Sequence, residues 1–140
     1  MKISFTVFGE PQGKGRPRFA RRGGYTVTYT PKKTASYEEK IKNEYMVQCN
    51  GVRFDDNTDL EMSVIAYFKI PSSVNKITKS DMLEWKKFPR KKPDVDNILK
   101  IVADGLNGVA YKDDVQIIKA SVRKYYSAEP RVEIEICDKL

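Results

Sequence analysis

Residues 96–107, "DNILKIVADGLN", constrain the fold more than any other part of the chain. At 100° per residue, Asp96, Asn97, Lys100, Asp104 and Asn107 fall within an arc of about 100°, and Ile98, Leu99, Ile101, Val102, Ala103 and Leu106 cover the rest. A helix apolar around so much of its circumference must be packed on several sides. Its polar stripe then lines a cleft or a narrow exposed strip, and Asn107-Gly108 supplies the stop. At 140 residues the chain is long enough to bury such a helix within one domain, 1–140.

The layers come from the rest of the pattern. Residues 2–8 alternate, with Ile3, Phe5 and Val7 on one face, and predict a strand. "GEPQGKGRPRFARRGG" predicts a loop, followed by a short β-prone "YTVTYT". Tyr37, Ile41 and Tyr45 fall at helical spacing behind a Ser36–Glu39 capping box, which predicts a helix over 36–49. Residues 61–70 are apolar on both faces, as a central strand requires. A short helix is expected near 79–88. "VQIIKASVRKYY" and "RVEIEIC" alternate on either side of "SAEP" and predict an antiparallel pair. The order is that of an α+β fold, a single mixed β-sheet with helices packed on it.

Composition narrows the chemistry. The absence of histidine removes Ser-His-Asp hydrolysis, H-E-x-x-H zinc chemistry and any nuclease with a histidine base. Cys49 and Cys137 stand alone, without zinc spacing, as thiols in a reducing compartment. No long apolar run or signal-peptide pattern occurs, so a soluble intracellular protein with no membrane partner is expected. A net charge of +7 points to a polyanionic partner. "GEPQGKG" falls one residue short of a phosphate-binding loop, and Lys14 is followed by Gly15, so no nucleotide triphosphate is expected.

In this basic chain the acids of "KPDVDNILKIVAD" and "YKDD" need an explanation. Asp94 and Asp96, two apart after Pro93, project to one side if extended, and repel unless a cation lies between them. A hard divalent ion suits such oxygen donors, with Mg²⁺ the natural choice and Mn²⁺ a substitute. The chain leaving the helix returns a third carboxylate, Asp113 or Asp114, and Lys100 lies one turn below Asp96. The plainer account makes Asp96 a cap, pairs it with Lys100 at i,i+4, and leaves "KDD" a solvated turn. Asp104 fits a supporting role best, because an acid C-terminal to its lysine is the weaker helix pairing.

"KPDVDNILKIVADGLNGVAYKDDVQI" resembles the signature of the RusA-type Holliday-junction resolvases, D-x-D-N-x-x-K-x-x-x-D-x-L-(N)-x(5)-D-D-x-Q. "GEPQGKGRPRF" and "YTPKKTASYE" resemble the opening of the branch carried by phages and prophages. The resemblance implies a homodimeric, Mg²⁺-dependent endonuclease making paired nicks across a four-way DNA junction, in the bacterial cytoplasm, encoded on a chromosome or by a phage. It also implies Asp94, Asp96 and Asp114 as metal-binding catalytic residues and Lys100 as the functional lysine. Asn97, Asp104 and Asp113 are then supporting neighbours.

For DNA contact the sequence offers Lys14, Arg16, Arg18, Arg21 and Arg22, with glycines that allow close backbone approach to phosphate. Lys32 and Lys33, ahead of the first helix, and Lys91 and Lys92, just before the acids, complete the set. Trp85 and Phe88 are expected to pack on the core, with insertion into an opened junction as the alternative. Two other functions remain open, a non-catalytic DNA-binding module and a metal-dependent nuclease of flaps or forks.

Overall fold

The computed structural model describes residues 1–138. Its strands are β1 (Lys2–Phe8), β2 (Arg18–Arg22), β3 (Tyr25–Tyr29), β4 (Leu60–Lys69), β5 (Ile117–Ser127) and β6 (Arg131–Asp138). Its helices are α1 (Lys32–Cys49), α2 (Lys76–Leu83) and α3 (Val95–Gly105), and a single 3-10 turn spans Asp114–Gln116. The fold is α+β, with helices on a mixed four-stranded sheet of order β1-β6-β4-β5.

Strand β4 sits inside the sheet, as its two apolar faces require. It pairs antiparallel with β6 and parallel with β5. This corrects the expected β5–β6 hairpin, because β4 is inserted between the two. A parallel pair needs a long crossover, and the chain between β4 and β5 supplies it with α2 and α3. The most apolar strand thus takes the position with a neighbour on each edge, and the edge strand β5 keeps its mostly exposed N-terminal half.

One sheet face carries Phe5, Val7, Met62, Val64, Ala66, Val132, Ile134 and Ile136, all buried. Helix α1 covers it with Thr34, Tyr37, Ile41, Tyr45 and Cys49, and Tyr45 meets Phe5 edge-on with ring centres 5.3 Å apart. Helix α3 fills the rest with Ile98, Ile101 and Val102. Gly105 lets α1 and α3 approach, since a Cβ there would stand 3.3 Å from Ile41 Cγ2.

Local boundaries differ from expectation in four places, the first being α2, which spans Lys76–Leu83 rather than 79–88. Helix α1 begins at Lys32, four residues early, so Ser36 and Glu39 are interior and form no cap; Pro31 stands at the N-cap. The expected loop is half a hairpin, because β2 pairs with β3 around Gly23 and Gly24, whose φ values of +58° and +87° suit a tight two-residue turn. Helix α3 ends at Gly105, and Asn107-Gly108 lies in the turn beyond. Both cysteines are free, Cys49 buried and Cys137 partly so. No helix among the described residues is long and apolar enough to cross a membrane.

Ile101, fully buried, couples α3 to the core, so Ile101→Ala should cost about 2–5 kcal/mol in urea unfolding. Gly105→Val should also destabilise by forcing α1 and α3 apart. Stability unchanged by both would show that α3 does not depend on this packing.

Candidate active site

The sequence carries no apolar residue on the polar stripe of α3, and the fold leaves that stripe open at Asp96 and Lys100 while Lys14 covers Asp104. Asp94 is the extended N-cap residue and Asp96 lies in the first turn, so the two are not alternate residues of one strand as expected. Asp94 makes no side-chain capping bond. Neither carboxylate has a hydrogen bond or salt bridge among the described residues. Asp94 has only longer-range attraction to Lys124, whose own pKa is pushed down by burial.

Further along the helix the charges alternate and touch. Lys100 Nζ lies 3.0 Å from Asp104 Oδ1 and 3.6 Å from Asp114 Oδ2. The i,i+4 partner of Lys100 is therefore Asp104, not Asp96. Lys14 shares this carboxylate, its ammonium standing 3.0 Å from the other Asp104 oxygen and 2.8 Å from Glu38 Oε2. Asp104 is held between two lysines. The hydrogen bond that Lys100 donates to Asp104 raises the pKa of Lys100, so it is an ammonium at neutral pH.

Lys14 is the clearest departure among the expected DNA contacts, because it points inward and is only 22% exposed. Its backbone N–H donates to Asn97 O at 2.9 Å, and the next N–H, of Gly15, donates to Thr34 Oγ1 at 3.0 Å. The flanking glycines serve this contact rather than phosphate approach. A Cβ on Gly13 would lie 2.7 Å from Pro93 Cβ, and one on Gly15 2.6 Å from Thr34 Oγ1. The segment 13–15 is thereby clamped between the heads of α1 and α3.

The returning acids divide their roles by geometry. Asp113 caps the 3-10 turn, accepting from Val115 N at 3.1 Å, and that bond lowers its pKa. Gln116 Oε1 closes the capping box at Asp113 N. Asp114 faces the cleft instead, its backbone N–H fixed by Asn107 Oδ1 at 2.9 Å, and burial raises its pKa. Asp96, Leu99, Lys100, Ala103, Asp114, Ile117 and Ala120 line a depression of 290 Å³. Asp94 stands one residue beyond α3 and outside that lining.

The exposed cations form a track leading to this cleft. Lys33 and Lys92 line a 370 Å³ depression with Pro93 and Asn97. Lys33 also lines an adjoining 440 Å³ recess with Arg16 and Arg18. Arg21 and Arg22 continue along exposed β2. Lys32 and Lys33 lie within the first turn of α1, where cations still oppose the helix dipole. Lys91 Nζ sits over the Phe68 ring, 5.6 Å from its centre. The sequence reading missed Glu38, which anchors Lys14.

Fold and site define an α+β protein with an acidic cleft at the head of a crossover helix, edged by exposed arginine and lysine. The chain belongs to the family described as Endodeoxyribonuclease RusA, which it matches over residues 9–137. It is 37% identical over 136 residues to the Bacillus subtilis (strain 168) protein named "Uncharacterized protein YqaN", covering 96% of this chain and 94% of that one. It is also 27% identical over 109 residues to "Crossover junction endodeoxyribonuclease rusA" of Lactococcus phage r1t, covering 73% of this chain and 76% of that one.

The raised pKa of Asp114 has a definite sign. The folded state holds that proton more tightly than the unfolded chain, so this contribution is full below the ordinary 3.8 and lost as pH rises through the raised value. In chelator, Asp114→Asn should therefore raise Tm at pH 7 and leave it unchanged near pH 3. A lower Tm at pH 7 would mean that attraction to Lys100 outweighs burial.

Proposed function

We propose that this protein is a divalent-metal-dependent endonuclease that resolves four-way DNA junctions by paired nicks, acting as a homodimer in the bacterial cytoplasm. The carrying observation is the pair Asp94 and Asp96, exposed carboxylates without a salt bridge among the described residues, next to a cleft holding Asp114 and Lys100. Family membership and the name of the phage relative support the substrate class.

No three acidic, cysteine or histidine side chains among the described residues stand ready-clustered around a metal position. The donor chemistry nevertheless fits a hard cation. All the donors are carboxylate oxygens, two make no salt bridge among the described residues, and the third, Asp114, has its pKa pushed up by burial, a shift that a bound cation would oppose. Asp94, Asp96 and Asp114 would hold Mg²⁺, or Mn²⁺ in its place. Bound there, the ion would supply an activated water and polarise the scissile phosphate.

Lys100 carries an electrostatic role on this reading. As an ammonium it can stabilise charge on the phosphoryl oxygens or the leaving oxygen. Its 3.6 Å contact with Asp114 is the looser of its two, and the 3.0 Å bond to Asp104 keeps it at the cleft. Lys14 and Glu38 hold Asp104 in turn. Asn97 supplies the carbonyl that pins Lys14, and Asp113 shapes the turn presenting Asp114. Arg16, Arg18, Arg21, Arg22, Lys32, Lys33, Lys91 and Lys92 would contact DNA phosphates. A twofold dimer would present two such clefts to a substrate that is itself nearly twofold.

The deciding experiment incubates the protein with a synthetic four-way junction and its linear arms, with and without Mg²⁺. Symmetric nicking of the junction alone is expected. Equal cleavage of the junction and its linear arms would reassign the substrate, and binding without cleavage would make the chain a DNA-binding module. Asp94→Asn should lower cleavage by at least 100-fold while sparing or tightening junction binding; joint loss of binding and folding would return Asp94 to a structural role.

Arg16→Ala with Arg18→Ala should weaken binding and reduce the salt slope by about 2. An unchanged slope would remove this recess from the interface.

A further inference from the structure

Trp85 and Phe88 do not pack on the core as expected; they are 49% and 47% exposed. Trp85 occupies the left-handed residue ending α2, with φ of +59°. The N–H groups of Lys86 and Lys87 fold back onto Asp81 O there. Glycine or asparagine is the usual occupant of that position, because a side chain strains it. The chain instead places its one tryptophan there, half in solvent.

The exposed rings form a platform. Trp85 and Phe88 both rest on Tyr125 of β5, with centres 4.4 and 5.8 Å away, and Tyr125 stacks on Tyr67 at 5.9 Å. Arg131 lies over the other side of Tyr67, 3.9 Å from its centre. Because β5 is an edge strand, residues 85–91 wrap around that edge toward the acids. At the far end the Lys124 ammonium donates to Lys91 O and feels the charge of Asp94. Lys87 and Arg90, both exposed and without a salt bridge among the described residues, flank the path.

We propose that Trp85, Phe88 and Tyr125 form a stacking site for an unpaired nucleobase, splayed from a strand whose flanking phosphates lie on Lys87 and Arg90. An exposed aromatic face gains from a base of any identity, and the flanking cations match the charge of the attached backbone. A continuous duplex buries its base faces and cannot use the platform. A branch point or a single strand can. The site would thus favour branched over linear DNA without reading sequence. This inference rests on the DNA-directed reading above.

Trp85, as the only tryptophan, is its own probe. The protein is titrated in chelator with oligothymidylate, a blunt duplex and a four-way junction, following tryptophan emission together with anisotropy of labelled DNA. Emission should fall by half or more with oligothymidylate and the junction, and by less than a tenth with bound duplex. Trp85→Ala should weaken oligothymidylate and junction binding about tenfold and leave duplex binding unchanged, while Trp85→Phe retains most of the affinity. Bound junction with unchanged emission, or equal quenching by duplex, would overturn the proposal and leave the nuclease reading intact. Failure to bind any DNA would remove both. Emission that changes with protein concentration alone would give the platform to a second copy of the chain.

Discussion

Burial of α3 on almost every side is the constraint from which the site follows. Ile98, Ile101 and Val102 are committed to the sheet and to α1, and Gly105 brings Ile41 close on the remaining flank. With its rotation fixed by these contacts, the helix can show solvent one strip only. Asp96, Lys100 and Asp104 lie on that strip because no apolar contact competes for it. The parallel β4–β5 pair then determines where the strip ends, since the crossover must deliver the chain to the start of β5. Asp114 meets Lys100 as a consequence of that delivery.

The second layer is electrostatic. Glu38, Lys14, Asp104, Lys100 and Asp114 form a chain of alternating sign with successive contacts of 2.8, 3.0, 3.0 and 3.6 Å. Asp104 and Lys14 are only 17% and 22% exposed, so their attraction is less screened than that of surface pairs, whereas Lys100 is 56% exposed at the open end. Partly buried carboxylates so close together would repel without the interposed lysines. The buried end therefore holds position and the exposed end remains available to a ligand.

Much of this was legible in the sequence. The apolar circumference of α3, the two-sided β4 and the spacing of Tyr37, Ile41 and Tyr45 are local patterns, and each forms the expected element. What failed depends on distant partners. The strands flanking "SAEP" looked paired because they are neighbours in sequence, but β4 offers β6 a more apolar edge from far upstream. Lys14 resembled its arginine neighbours, yet Glu38 and Asp104 lie 24 and 90 positions away, beyond any local periodicity. Glycines signal close approach without naming what approaches; here Pro93 and Thr34 fill the space first given to phosphate. Trp85 was misread for the same reason, since aromatic content predicts burial and backbone handedness is not written in composition.

The opposition between a basic chain and its acidic cleft also orders events on the proposed reading. Five carboxylates in and beside the cleft, Glu38, Asp94, Asp96, Asp104 and Asp114, against two ammonium groups, Lys14 and Lys100, give this group of side chains a formal charge of −3 within a chain of +7. A phosphodiester brought along Arg16, Arg18, Lys33 and Lys92 meets attraction over most of its path and repulsion at the end. The charges act at different ranges. The exposed cations pull out to about a Debye length of 8 Å, while the cleft, its charge partly cancelled by its own lysines, repels mainly on near contact. DNA can therefore be held beside the site before the scissile group enters it, and entry requires a charge that the side chains do not themselves provide.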